Sequence, residues 1–266
     1  MKIDLHSHCE RSFDCEIPFS VMCDSAVEHG VKVFALTDHC DLNESSDDAQ
    51  VLENIRLSLS DAQMQRERLC GTLTIVKGIE LGQPLHNLPL AEKIVALGDI
   101  DFTLCSVHEI SGKQDFYYLD YNKEDVPSLL ARYFDEVLQT VKWNKFDSLA
   151  HLTYPIRYIC GEYGVAVNLD DYSAVIDEIL STLAKNGKAL EINSSGLGMK
   201  IKETLPSRAI IERFRQLGGE YITVGSDAHL PQNVGYRIGE AFSLLRECGF
   251  DSVTYFENHK PVKVRI

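Results

Sequence analysis

Near the start of the chain, Asp4, His6 and His8 alternate with Ile3, Leu5 and Ser7. On an extended strand successive side chains point to opposite faces, so the carboxylate and both imidazoles share one face. Two imidazoles two residues apart on a rigid strand end can grip one metal ion. A polar strand end with solvated histidines has the same sequence, so one such pair decides little. The pattern recurs, however. Asp38 and His39 follow the apolar run 31–37. Glu80 ends the run 72–79 and His108 ends 102–107. His151 follows 146–150, and Asp227 and His229 follow 221–225.

With Asp14, on a loop, the candidate ligands are His6, His8, Asp14, His39, Glu80, His108, His151, Asp227 and His229. Six of the nine histidines sit at or just after an expected strand end; His29, His86 and His259 do not. Random placement would not sort them this way. Nine donors are too many for one ion. Two or three divalent ions with three to five ligands each fit better, with Glu80 as a bridging carboxylate. Imidazole and carboxylate together suit zinc, iron or manganese rather than calcium. Asp4 and Asp38 are expected to accept imidazole N–H groups and fix the ring tautomers. Cys9, Cys15 and Cys40 adjoin candidate ligands. They read as neighbours facing away, with a thiolate ligand as the alternative.

The elements that must position these groups alternate strand with helix. Expected strands at 31–37, 72–79, 102–107, 146–150, 188–192 and 221–225 follow the first one. Helices are expected near 18–29, 46–69, 88–97, 124–143, 169–185, 206–217 and 235–247, and short tail strands near Val253 and Val262. Residues 111–122 and 155–168 read as loops shaping the mouth. Continuous apolar strands between helices indicate a parallel sheet covered on both faces. An open doubly wound sheet gathers its site at one switch point. An open sheet and a closed barrel both remain possible, but candidates after six different strands favour a closed barrel with a common mouth. The expectation is one distorted seven-stranded βα barrel spanning 1–266, with the metal site at the C-terminal strand ends.

Hydrophobic residues make up 44% of the 266, and 26 basic against 40 acidic residues give a net charge of −14. That balance argues against long nucleic acid or an anionic membrane as partner. It leaves open a small phosphorylated substrate drawn to a local cationic centre. No apolar run approaches the roughly 20 residues of a membrane span, and no charged-then-apolar leader is seen. Eight cysteines without a C-x-x-C pair read as reduced. A cytoplasmic location is expected.

Asp4-Leu5-His6-Ser7-His8, Thr37-Asp38-His39, Gly78-Ile79-Glu80, Ser106-Val107-His108, His151 and Gly225-Ser226-Asp227-Ala228-His229 resemble, in order, the motifs of the polymerase and histidinol phosphatase (PHP) superfamily. Glu191-Ile192-Asn193-Ser194-Ser195-Gly196-Leu197 resembles the loop of its histidinol-phosphatase branch. The resemblance implies a trinuclear centre. His6, His8, Glu80 and Asp227 would hold one metal; Glu80, His108 and His151 a second; Asp14, His39 and His229 a third. Two positions depart from the pattern. Thr153 stands where many relatives carry an acid, and Glu109 where an apolar residue is common.

The implied reaction is hydrolysis of L-histidinol phosphate to L-histidinol and phosphate. A metal-bridging hydroxide would attack phosphorus directly, with Glu80, Asp227 and His229 as the catalytic residues. No Cys-x5-Arg or Asp-x-Asp-x-Thr nucleophile motif is present. Arg157 is a candidate phosphate clamp, Lys200 a weaker one, and Glu109 could pair a substrate cation. The competing readings are another PHP phosphoesterase acting on nucleotides, short oligonucleotides or phosphotyrosine, a non-catalytic metal-binding or polymerase-associated module, and a metal-dependent amidohydrolase. The Thr37-Asp38-His39 element fits the last poorly.

Overall fold

The computed structural model describes residues 1–43 and 47–266. Its first strand, β1 (Lys2–Asp4), pairs in parallel with β2 (Val31–Leu36), across the helix α1 (Phe19–Glu28) that Pro18 opens. After a two-residue break the chain resumes as β3 (His39–Asp41). β2 and β3 both pair with β4 (Thr74–Gly82). The ladder continues through β5 (Phe102–Ser106), β6 (Ser148–Leu149), β7 (Ala189–Asn193) and β8 (Ile222–Gly225), every pair parallel. β8 returns to β1. The Leu5 N–H donates to the Val224 carbonyl at 2.9 Å, and Ser7 bridges Ala228. Among the described residues this makes a nearly closed barrel of seven parallel strands, as the alternation requires.

The helices α2 (Asp48–Arg68), α3 (Leu88–Val95), α4 (Val126–Trp143), α5 (Ser173–Lys185), α6 (Arg208–Gln216) and α7 (Ile238–Glu247) wrap the outside. α4 shows why: Leu130, Phe134, Val137 and Val141 recur at three- and four-residue spacing and are all buried. Every residue of β5, β7 and β8 is buried, as expected of strands covered on both faces. Asp47, Asn87 and Asp125 accept backbone N–H bonds that start α2, α3 and α4. The expected start of the second helix at Ser46 lies outside the described residues. The antiparallel tail hairpin, β9 (Ser252–Glu257) with β10 (Lys260–Arg265), covers the N-terminal end of the barrel. There Phe256 stacks on Phe102 at 5.3 Å.

Two expectations about elements change. The fifth strand is only two residues long rather than 146–150. Asp147 is the reason: its carboxylate accepts the Thr103 N–H at 2.8 Å, taking a place in the ladder that a backbone carbonyl would fill. The stretch after His151 is not all loop. Residues Arg157–Glu162 form a π-helical turn, a rare geometry that often marks a functional site.

Candidate metal centre and active site

Apart from Asp14, each candidate ligand sits at or near the C-terminal end of a barrel strand. His6 and His8 follow β1, His39 opens β3, Glu80 lies in β4, His108 follows β5, His151 follows β6, and Asp227 and His229 follow β8. Gly225 makes the convergence possible. A Cβ there would lie 2.2 Å from the His6 Cβ and 2.6 Å from Glu191 Oε1, so only glycine lets these strand ends approach. Asp227 then adopts a left-handed backbone (φ 57°), which aspartate tolerates better than most residues.

Glu80 is the hub, with no exposed surface. Its Oε1 lies 3.0 Å from His151 Nε2, 3.2 Å from His108 Nε2 and 3.4 Å from His6 Nε2. Its Oε2 lies 2.9 Å from His39 Nδ1 and 3.7 Å from His8 Nε2. Asp227 Oδ1 lies 3.3 Å from His8 Nε2 and 3.5 Å from His6 Nε2. Asp14 reaches the cluster from its loop, with Oδ2 3.0 Å from His229 Nε2 and 3.5 Å from His39 Nε2. All nine sequence candidates are therefore brought together.

Like-with-like contacts within this cluster mark it as built for something that the side chains do not supply. Rings His8 and His229 stack at 4.1 Å, and the Nε2 atoms of His108 and His151 stand 3.3 Å apart. His6 Nε2, His8 Nε2, His39 Nδ1, His229 Nε2 and Glu80 Oε2 are buried without a hydrogen-bond partner. Buried polar atoms left open in this way are costly unless a ligand satisfies them. Four overlapping groups have donor atoms within 4.8 Å of one another: His6, His8 and Glu80; His6, His151 and Asp227; His39, Glu80 and His108; and His8, His39 and His229. Such imidazole–carboxylate sets can hold metal ions.

The protonation tendencies agree. Burial would raise Glu80 and Asp227, but the surrounding imidazoles outweigh it and hold both carboxyls well below their usual range. Burial, reinforced by neighbouring His229 and His39, pushes His8 well down, and burial also lowers His151. These two rings thus favour the neutral form that ligates metals. For His6, His39 and His108 burial also pushes downward, but nearby carboxylates prevail and raise all three. Metal binding there must displace protons.

The expected supports are only partly right. Asp4 does not orient an imidazole; it accepts from the Ser226 N–H (2.8 Å) and hydroxyl (2.5 Å) and from the Gly235 N–H (2.7 Å), clamping the β1–β8 seam. Asp38 acts through Ser12, whose hydroxyl lies 3.1 Å from His8 Nδ1 and donates to Asp38 at 2.9 Å. The direct carboxylate supports are Glu191, 2.7 Å from His6 Nδ1, and Asp41, 3.0 Å from His108 Nδ1. Sequence reasoning assigned neither. The signal for Glu191 was a lone acid inside an apolar strand, on the same face as Asn193. Cys9 Sγ points at Asp38 and Cys15 Sγ at the His229 carbonyl, while burial pushes the Cys9, Cys15 and Cys40 thiols up. They face away from the metal role as thiols.

Above the cluster opens a cavity of about 430 Å³. Arg157 lines it, brought there by the π-helical turn. Its guanidinium lies 4.4 Å from the centre of the Tyr154 ring, both terminal nitrogens are 3.4 Å from Asp227 Oδ2, and its Nε has no hydrogen-bond partner. Lys200 does not join it. That side chain is 66% exposed, pairs with Glu162 at 2.6 Å and does not line the cavity. Glu109 lies beside an adjoining cavity, 3.7 Å from His86.

The model of the PHP domain family matches residues 4–195. The chain belongs to the PHP domain family. Within the family, it is 29% identical to the probable histidinol-phosphatase of Thermotoga maritima over 94% of this chain and 93% of that one. It is 27% identical to the histidinol-phosphatase of Lactococcus lactis over 97% and 96%. The crystal structure of the Lactococcus lactis histidinol phosphate phosphatase, with zinc, L-histidinol and phosphate, superposes with a TM-score of 0.83 at 25% identity, covering 98% and 99% of the chains. A structure from Listeria monocytogenes, at 18% identity and a TM-score of 0.76, shares the fold.

Proposed function

We propose that this PHP domain protein hydrolyses L-histidinol phosphate to L-histidinol and phosphate. The observation that carries the reading is the set of open imidazole and carboxylate atoms around Glu80, directly beneath a cavity lined by a buried arginine. The likeness to the Lactococcus lactis enzyme supports the substrate.

We assign three metal positions: His6, His8, Glu80 and Asp227; Glu80, His108 and His151; and Asp14, His39 and His229. Two to three zinc, manganese or iron ions bound there would neutralise the phosphate and bring the pKa of water toward neutrality. Arg157 holds the ester. Its planar fork can offer two donors to one phosphate group, and the Tyr154 ring restricts its swing. The leaving alkoxide needs a proton. Asp227 and His229 both border the cavity where it would be delivered. Asp227 and His229 lie beyond the matched 4–195 yet converge with the ligands inside it, so we treat 1–266 as one catalytic domain. The substrate is a small metabolite rather than nucleic acid or membrane, and the expected location is the cytoplasm. Among the described residues no helix is long and apolar enough to cross a membrane.

The test is phosphate release from L-histidinol phosphate beside nucleotides, short oligonucleotides and phosphotyrosine, on manganese- or zinc-loaded protein. A preference of several orders of magnitude in kcat/KM for histidinol phosphate is expected. Weak, even turnover across the panel would refute the substrate while leaving a phosphoesterase.

A further inference from the structure

Ser12 lies on the loop between β1 and α1, two residues before Asp14, and is buried. Three groups converge on its hydroxyl. Asp38 Oδ1 lies 2.9 Å away, the His39 backbone N–H donates at 3.1 Å, and His8 Nδ1 stands at 3.1 Å. A serine hydroxyl has one proton to give and two lone pairs to fill. A carboxylate only accepts, and Asp38 accepts from every side: the Cys9 N–H at 2.7 Å on the same oxygen, and the Ser58 hydroxyl (2.6 Å) and Cys9 thiol (3.1 Å) on the other. The Ser12 proton therefore goes to Asp38, and one lone pair takes the His39 N–H. The second lone pair faces His8 Nδ1, which must then carry the hydrogen of the ring.

Two consequences follow for the metal centre. A hydrogen on Nδ1 leaves His8 Nε2 as a bare lone pair. That atom is buried without a hydrogen-bond partner, 3.3 Å from Asp227 Oδ1 and 3.7 Å from Glu80 Oε2, among the other groups of its assigned metal position. The same hydroxyl, through the His39 N–H, fastens its loop to the start of β3. The loop is tied elsewhere by the Glu10 N–H to the Ile17 carbonyl (2.9 Å), by Arg11 Nε to Asp61 (2.8 Å) and by the Cys15 thiol to the His229 carbonyl (3.2 Å). From this loop Asp14 reaches His39 and His229. One hydroxyl thus touches the ring of a ligand at one metal position and the backbone of a ligand at another.

We propose that Ser12 is a positioning residue that joins two metal positions. Its hydroxyl sets the tautomer of His8 and holds the Asp14 loop against His39. The position of His6, His8, Glu80 and Asp227 and the position of Asp14, His39 and His229 are therefore prepared together. The effect on metal affinity rests on the metal assignment above; the tautomer of His8 does not. In Ser12→Ala the His8 and His39 N–H groups both lose their acceptor, so the ring is free to move its hydrogen to Nε2, where it blocks the ligating lone pair, and the loop loses its hold on β3.

Two measurements on the full-length protein test this. The first is the ¹⁵N spectrum of the histidine rings in the chelated, metal-free protein, with His8 assigned by comparison with His8→Asn. Wild-type His8 should show a protonated Nδ1 and a bare Nε2, and Ser12→Ala should lose that pattern. The second is zinc titration of the same protein. Ser12→Ala should raise the zinc Kd of two classes of site about 10–100-fold, as loss of the partner behind a metal-binding histidine does. Asp14→Ala should weaken only one of those classes. Ser12→Thr keeps the hydroxyl and should restore both the spectrum and the affinity. Wild-type His8 with its hydrogen on Nε2 overturns the proposal without any variant, and so decides it even where Ser12→Ala does not fold. Unchanged zinc affinity in Ser12→Ala, or weakening only of the class that Asp14→Ala weakens, overturns the link between the positions. A Ser12→Thr protein as weak as Ser12→Ala reduces the residue to packing and also overturns it. Failure of the wild type to bind zinc overturns the metal assignment instead, and the spectrum still decides the role of the hydroxyl.

Discussion

Glu191 offers the sharpest test of how the centre is held. Its side chain is 1% exposed, inside β7, and both oxygens are in use. Oε1 lies 2.7 Å from His6 Nδ1, and Oε2 accepts the backbone N–H of His151 at 2.8 Å. One carboxylate thus aims a ring from β1 and pins the strand end that carries a ring from β6. Glu191→Gln keeps the shape but has one acceptor and one donor head. Whichever way the amide turns, an NH₂ faces either the imidazole N–H or the His151 N–H. One buried donor is left without an acceptor, at about 1–3 kcal/mol. By a separate route, losing the carboxylate behind a metal-binding histidine weakens metal affinity about 10–100-fold. At about 1.4 kcal/mol per decade that is roughly 1.4–2.8 kcal/mol, and the two figures agree. The variant should therefore fold, melt about 2–4 °C lower per kcal/mol lost, and show metal Kd raised by one to two decades on titration after chelation. Unchanged metal affinity with a normal melting curve would refute the claim that Glu191 orients His6.

Other perturbations follow from the same geometry. Glu80→Ala should strip bound metal, read by elemental analysis, and abolish turnover while far-ultraviolet dichroism stays native; normal activity would sink the site. Arg157→Ala should raise KM for phosphate esters about 10–100-fold, the value of hydrogen bonds to a charged group, and an unchanged KM would rule out the clamp. Gly225→Ala should be poorly folded or metal-free, because its Cβ meets the His6 Cβ at 2.2 Å; a native-like metal content would contradict the packing. At the opposite end of the barrel, the hydrogen bond of His259 to Asp147 raises the imidazole pKa. A group raised on folding stabilises fully below its unfolded pKa and loses that contribution as pH climbs through the folded one. The melting-temperature deficit of His259→Asn should accordingly be present at pH 6 and shrink toward pH 9; a deficit independent of pH would exclude the ion pair.

The barrel was legible because its signals are local and repeated. Six of the seven barrel strands end in a candidate ligand, and the helices have their own stops. Glycines such as Gly30 and Gly187, both at positive φ, end α1 and α5. What the pattern could not reveal were features that depend on another part of the chain. The fifth strand is short because the Asp147 side chain substitutes for a ladder carbonyl toward Thr103. Arg157 was expected at the mouth and lines it, but the π-helical turn that carries it has no composition signature. Lys200 was chosen for its position in a loop after a strand, and nothing local foretold Glu162 beside it.

The supports of the metal ligands show the same limit in its clearest form. Asp4 and Asp38 were expected to orient His6 and His39 because they are near neighbours in sequence. In a parallel barrel that proximity is misleading. Adjacent residues on a strand point apart, and the next residue on the same face lies about 7 Å farther along. The side chain able to reach an inward ring comes from a neighbouring strand. Asp41 of β3 reaches His108 after β5, across β4, and Glu191 of β7 reaches His6 after β1, across the seam that β8 closes. Asp4 is spent on that seam, tying Ser226 and Gly235 to β1. Closure and metal geometry are therefore coupled: the seam that completes the barrel also brings His6 and Asp227 together, with Glu191 behind the ring. A substitution that loosens the seam without touching a ligand, such as Asp4→Asn, should lower metal content and melting temperature together. A variant that melted early yet kept full metal occupancy would show that the seam and the centre are independent.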